Sequence, residues 1–138
     1  MHDYEVKHLE IVQSIVSRLA TNSFLLKGWT ITIAAALFAL AAQDSNRIYS
    51  ILAIFPAFAF WGLDAYYLRQ ERLFRKLYDD LRLKYSAGSA QPREAFSLST
   101  KEYVSLVPSW RTTLWAPAVV GLHGVVVLSI IVVTLVLK

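Results

Sequence analysis

Residues 112–137 read TTLWAPAVVGLHGVVVLSIIVVTLVL, an apolar run without an aspartate, glutamate, lysine or arginine. A helix of about 20 apolar residues is long enough to cross the hydrocarbon core of a bilayer. Trp110 and Trp115 open the run, and tryptophan is enriched where a span meets the membrane surface. The run therefore predicts a transmembrane helix and favours an integral membrane protein over a soluble domain.

Two further apolar stretches precede it, residues 24–42 and 48–63, joined by the short polar turn 43–47. A connection this short holds two helices antiparallel. Pro56 lies within the second stretch, where we expect it to remove a backbone hydrogen bond and kink the helix. The helical spacing of apolar residues continues to residue 85, which predicts that the second span extends as a helix into the cytoplasm.

Residues 3–21 have one apolar and one polar face, which predicts an amphipathic helix that lies on the membrane surface or packs on the other cytoplasmic segment. We expect a break at residues 22–23. The charged start does not fit a secretory signal peptide, so the first span is expected to be retained. Residues 86–111 are predicted to form a basic cytoplasmic loop with a linker at 86–92, followed by a short helix capped by Ser99.

The predicted fold class is all-α, a single membrane domain with three transmembrane helices, an N-terminal amphipathic helix and a long cytoplasmic extension of the second span. The chain is 56% hydrophobic and 17% charged, against about 45–50% and 25% in soluble domains. Twelve of its 14 lysines and arginines lie in residues 1–27 and 69–111. This distribution places the N-terminus in the cytoplasm and the C-terminus outside. Topology thus explains the net charge of +4, and a nucleic-acid partner is not favoured.

The sequence lacks the patterns on which most enzymes depend. It contains no cysteine, no pair of histidines at metal-binding spacing, no glycine-rich phosphate loop and no G-x-S-x-G motif. Its three histidines are scattered along the chain. We therefore expect no enzymatic activity, no catalytic residue, no metal and no cofactor.

The most distinctive segment is residues 60–78, FWGLDAYYLRQERLFRKLY. Asp64 lies where the second span leaves the lipid, and an acid there is costly unless it finds a donor. Lys27, at the same level of the neighbouring span, or an arginine of another subunit can serve as that donor. Glu71 and Arg75 have the spacing of a favourable helical ion pair. We predict a polar latch between helices or subunits; the alternative is a charged face in solvent. The latch residues are Lys27, Asp64, Glu71, Arg72 and Arg75.

Two features of the spans have open interpretations. Thr32, Ala35 and Ala39 belong to a strip of small residues, which serves either as a packing seam, the favoured interpretation, or as the wall of a pore. His123 lies in the middle of the third span between two glycines. It can line a pore or sense pH, or it can be a neutral imidazole bonded to a neighbouring carbonyl. The sequence does not separate these alternatives.

The motif Lys-Gly-Trp at 27–29, the alanine-rich span after it, and F-W-x-L-D-A-Y-Y-L followed by E-R-x-F-R-x-L-Y at 60–78 resemble one family of small bacterial membrane proteins. These are the RipA-like octameric membrane proteins. That family is related to membrane accessory proteins of RNA-targeting type VI CRISPR systems. The resemblance covers mainly residues 23–78.

The resemblance implies a ring-shaped homo-oligomer, an octamer, in the bacterial inner membrane, with the five latch residues as contacts between helices or subunits. It favours a pore or channel-like protein that permeabilises the membrane in antiviral defence against phage. The accessory relatives are associated with a HEPN-type Arg/His pair, which this sequence lacks, so a nuclease is not favoured. The alternative function is a non-conducting scaffold that docks a cytoplasmic protein partner through residues 69–111. In both cases the expected partners are the lipid bilayer and further copies of the chain.

Overall fold

A computed structural model describes residues 2–89 and 96–137, which are helical apart from short connections. Three helical segments are long and apolar enough to cross a membrane: Asp3–Asp44, Ile48–Ser86 and Pro117–Val136. The all-α class is therefore confirmed for the described residues, together with three helices that are long and apolar enough to span a membrane. In chain order the elements are α1 (Asp3–Asp44), α2 (Ile48–Leu52), α3 (Ile54–Ser86), a 3-10 helix (Lys101–Leu106), α4 (Trp110–Leu114) and α5 (Pro117–Val136).

The first helix is continuous over 42 residues, so the break expected at residues 22–23 is wrong. Ser23 is buried against α3 and its hydroxyl donates to Asp64. The polar side chain is thus satisfied without interrupting the backbone ladder. α1 ends in a left-handed residue, Ser45 (φ 50°), whose N–H bonds to the carbonyl of Ala41. This cap turns the chain into α2.

The N-terminal half of α1 packs along the C-terminal half of α3, and we call this pair of segments, residues 3–21 and 64–86, the stalk. Its apolar core contains Leu9 and Val12 of α1 with Leu77, Leu81 and Tyr85 of α3. Residues 3–21 were predicted to lie on the membrane surface or to pack on the other cytoplasmic segment. In the structure they pack on the extension of the second span. Each amphipathic face covers the other, because neither could bury its apolar residues alone.

The kink expected at Pro56 appears as a reset of the helix at Ala53, between α2 and α3. Proline lacks an N–H and its ring crowds the carbonyl four residues earlier, here that of Leu52. The helix therefore restarts just before the proline, which lies in the first turn of α3.

The same chemistry shortens the third span. The predicted span 112–137 is divided into α4 and α5, because Pro117 starts a new helix and Ala116 before it is extended (ψ 138°). At the apolar end of the bundle, small residues let α3 and α5 approach: Ala57 of α3 and its N-cap residue Ala53 pack with Val126 and Ile130.

The short helix expected after Ser99 is a 3-10 helix without a side-chain cap. It is held to the stalk by Tyr103, whose hydroxyl donates to Asp80 Oδ2 over 2.7 Å. Part of the predicted linker at 86–92, together with Arg93, lies outside the described residues, which resume at Phe96. The described part of the basic loop, from Phe96 onward, runs back along α3 to the start of α4.

The Tyr103–Asp80 contact predicts a titration at high pH. Burial and the hydrogen bond to Asp80 raise the pKa of Tyr103 from 10.0 to about 12. A pKa that is higher in the folded state gives a stabilisation that is complete below pH 10 and lost as the pH rises through 12. Subtracting the ultraviolet titration of a Tyr103→Phe variant from that of the parent should leave one tyrosine titrating near pH 12. Tyr66→Phe, at an exposed position, is the control; a Tyr103 difference centred on pH 10 would contradict the contact.

Candidate functional site: a buried polar cluster between three helices

The carboxylate of Asp64 is fully buried and accepts hydrogen bonds from two other helices. From α1, Lys27 Nζ lies 2.8 Å from Oδ1 and 2.6 Å from Oδ2, and the Ser23 hydroxyl donates to Oδ1. From α5, His123 Nε2 lies 3.0 Å from Oδ2. We call these four residues, Ser23, Lys27, Asp64 and His123, the polar cluster.

Local helix geometry brings the donors together. Ser23 and Lys27 are four residues apart and therefore share one face of α1; Lys27 Nζ also donates to Ser23 Oγ over 3.0 Å. Beside Asp64, the small residue Ala65 is fully buried against Ala116 and Val119 of the α4–α5 region. The small side chain allows α5 to come close enough for His123 to reach the carboxylate.

The hydrogen-bond pattern assigns the protonation of the cluster. Lys27 and Asp64 form an ion pair, so their charges cancel. His123 Nδ1 is buried and meets no hydrogen-bond partner within residues 2–89 and 96–137. A charged imidazolium would bury that N–H unsatisfied, which is costly. The unpartnered Nδ1 thus favours the tautomer that has its proton on Nε2 and donates it to Asp64. A neutral imidazole was one of the alternatives for His123, but its partner is a carboxylate and not a backbone carbonyl.

Trp61 closes one side of the cluster. Its ring is stacked on that of His123, with centroids 6.2 Å apart and planes 10° from parallel. The indole N–H donates to the carbonyl of Leu114 over 2.9 Å, which fixes the ring. The Lys27 side chain is 22% exposed, whereas those of Asp64 and His123 are not exposed at all. Access to the cluster is therefore along Lys27.

The other predicted latch residues lie apart from the cluster. Arg75 Nε donates to Glu71 Oε1 over 2.8 Å, as the spacing predicted, but this pair lies two turns further along α3 and Arg75 is largely exposed. Within the described part of the chain, Arg72 belongs to neither pair. The structure thus brings together Lys27 and Asp64 from the predicted set.

Of the candidate pore or packing residues, one belongs to the polar cluster and the other three do not. His123 points into the helix bundle of one chain, while Thr32, Ala35 and Ala39 lie on its outer surface. Ser23 and Trp61 were not predicted as parts of the site. The signal for Ser23 was present, since a hydroxyl four residues before a lysine shares the lysine's face. The signal for Trp61 was hidden, because a tryptophan near the end of a span is typical of any aromatic belt.

Chemically, the cluster is a clamp. One carboxylate joins α1, α3 and α5 by charge-assisted hydrogen bonds, which are stronger than neutral ones and most effective away from water. Within the described residues, no group of three or more histidine and acidic side chains is arranged to hold a metal.

A double-mutant cycle tests the clamp. Asp64→Leu alone leaves three donors without their acceptor, and Lys27→Met alone leaves a buried carboxylate without its counter-ion. Loss of one partner of a buried pair costs about 3–5 kcal/mol, so each single variant should unfold at a markedly lower temperature in detergent. The double variant should recover much of this loss. The matched control is Glu71→Leu with Arg75→Met, an i,i+4 pair whose arginine side chain is 59% exposed and whose glutamate side chain is 13% exposed. Pairs of this spacing couple by about 0.3–0.5 kcal/mol. Additive effects at Lys27 and Asp64 would contradict the clamp.

Comparisons with protein-family models, curated proteins and solved structures find no match to this chain. The resemblance of residues 23–78 to the RipA-like family therefore stays a prediction from the sequence, and the polar cluster rests on its own geometry.

Proposed function

We propose that the chain is the subunit of a homo-oligomeric, pore-like protein of the bacterial inner membrane. The observation that carries the proposal is the position of the small-residue strip of α1. Thr32, Ala35 and Ala39 are exposed. They lie about opposite the buried face of the same helix, which includes Thr30 and Ala34.

A strip of this kind is suited to contact with another protein surface. Small side chains let two helices approach closely in lipid, where packing and not the hydrophobic effect drives their association. From Gly28 to Gln43 the strip is about 22 Å long, most of the thickness of a bilayer core. On both sides of it α1 exposes large apolar residues, such as Trp29 and Ile31, which suit lipid. The strip is thus suited to contact with another helix, whereas the large apolar residues on both sides of it are suited to contact with lipid.

The polar groups of the strip support a passage at the centre of the assembly. The Thr32 hydroxyl donates to the carbonyl of Gly28, so it adds polarity without an unsatisfied group, and Gln43 lies at the end of the strip. In a ring of identical subunits, the strip is either the contact between neighbours or the wall of the passage. Both uses require several copies of α1 to meet around one axis.

The distribution of basic residues supports a cytoplasmic position for the stalk. The stalks of a ring would then form a collar below the membrane, where a trigger could act on the assembly. The resemblance to the RipA-like family supplies the octamer and the cellular setting of the proposal, which is membrane permeabilisation in defence against phage.

The assembly has a direct test at the strip. Ala35→Leu combined with Ala39→Leu should prevent close approach of α1 helices and lower the particle mass measured by light scattering in detergent. The polar cluster is on the other side of α1, so the subunit should still fold. Ala59→Leu makes the same chemical change at an exposed site on α3 and should leave the mass unchanged. A double variant with the parent's mass would contradict assembly through the strip.

Conduction is tested by planar-bilayer recording of the purified oligomer. We expect a conductance with the parent and the Ala59→Leu variant, and its loss in the strip variant. An oligomer that conducts at no voltage or pH contradicts the pore and favours the scaffold. In that case a cytoplasmic protein should co-purify, and Arg72→Glu with Arg75→Glu, both on the stalk, should release it.

A further inference from the structure

A cleft lined by aromatic rings opens between α3 and the α4–α5 connection. It has a volume of about 270 Å³ and is lined by Phe58, Trp61, Gly62, Trp110, Leu114 and Trp115. Phe58, Trp110 and Trp115 are 54%, 43% and 70% exposed. The cleft therefore faces the surroundings of the chain, at the level where α5 begins its crossing.

Hydrogen bonds fix two walls of the cleft. Trp110 Nε1 donates to the carbonyl of Gly62 over 2.9 Å, and Trp61 Nε1 donates to that of Leu114. Since both indole N–H groups are used by the backbone, Trp110 offers a ligand only the apolar surface of its ring, while Trp61 is already stacked on His123 and Phe58. Trp115 meets Trp61 edge to face at 5.9 Å, and Phe58 is stacked on Trp61 at the same distance. The cleft is thus preformed.

The polar side of the cleft is basic. Arg111 follows Trp110 on α4 and is exposed. Arg69 lies two turns beyond Gly62 on α3, and its Nε donates to the carbonyl of Pro108 over 3.1 Å, next to the start of α4. Of the two acids of α3 nearest to these residues, Asp64 is fully buried and paired with Lys27, and Glu71 is 13% exposed and paired with Arg75. An approaching anion therefore meets two guanidinium groups, and the acids of α3 beside them are already paired.

We infer that this cleft is a binding site for an anionic phospholipid, with part of one acyl chain between the rings of Phe58, Trp110 and Trp115 and the phosphate near Arg69 and Arg111. Aromatic side chains at the interface and arginines just beyond it match the two halves of such a lipid. The volume is below the range of about 300–1,000 Å³ of ordinary small-molecule pockets, which suits a slender chain better than a compact ligand. Guanidinium groups also bind phosphate oxygens in a bidentate manner.

Native mass spectrometry of the full chain in detergent tests the site with two probes, phosphatidylglycerol and phosphatidylcholine of the same acyl chains. We expect phosphatidylglycerol to be retained preferentially. Arg111→Gln should weaken its binding about fivefold, the effect of one basic residue at a membrane surface. Arg69→Gln should act in the same direction. Trp115→Ala, which removes an exposed wall of the cleft, should weaken both lipids alike.

Lys76→Gln and Arg82→Gln remove the same charge from exposed positions further along α3 and are the matched controls. Three results would overturn the site: equal retention of both lipids by the parent, an equal loss in the control variants, or a change in subunit number with unchanged lipid binding in Trp115→Ala. The last result would make the cleft a contact between copies of the chain. The measurement requires no conductance, so the site and the proposed pore can fail separately.

Discussion

A buried carboxylate in a membrane protein requires a counter-ion and hydrogen-bond donors from the helices around it. Asp64 has no exposed surface, and an unpaired charge there would cost more than the rest of a small bundle could offset. Its counter-ion comes from α1 and its third hydrogen-bond donor from α5. The three long helices are therefore tied together at one side chain, which adds to the apolar packing of the bundle. The alignment of the stalk follows, because α1 and α3 continue without interruption from the cluster into it.

Two prolines set where helices α3 and α5 begin. Pro56 and Pro117 both lie at the starts of helices, α3 and α5, where a missing N–H is tolerated. At Pro117 the chain turns from α4 into α5, and this turn carries Trp110 over Gly62 and Trp115 against Trp61. The aromatic cleft is thus a product of backbone chemistry as much as of side-chain packing. A continuous helix from residue 112 would not have formed it.

The parts of the fold that depend on composition and period were accessible from the sequence. The three apolar helices, the extension of the second span and the Glu71–Arg75 pair are of this kind. The break predicted at residues 22–23 was wrong because polar residues in that position resemble the end of a helix. They instead mark the place where the surroundings of α1 change, while its backbone continues. The His123–Asp64 bond was inaccessible because it depends on the rotation of α5, and an apolar helix surrounded by apolar residues carries no periodicity that reports its rotation. For the same reason the outward position of Thr32, Ala35 and Ala39 required the structure.

The continuity of α1 has a mechanical consequence. A helix of 42 residues is a rod of about 63 Å, and it carries the stalk at one end, the clamp at its middle and the strip of small residues toward the other end. No hinge separates these three parts. A rotation of the stalk would therefore be passed along the unbroken α1 toward the strip, past the Lys27–Asp64 pair that joins α1 to α3.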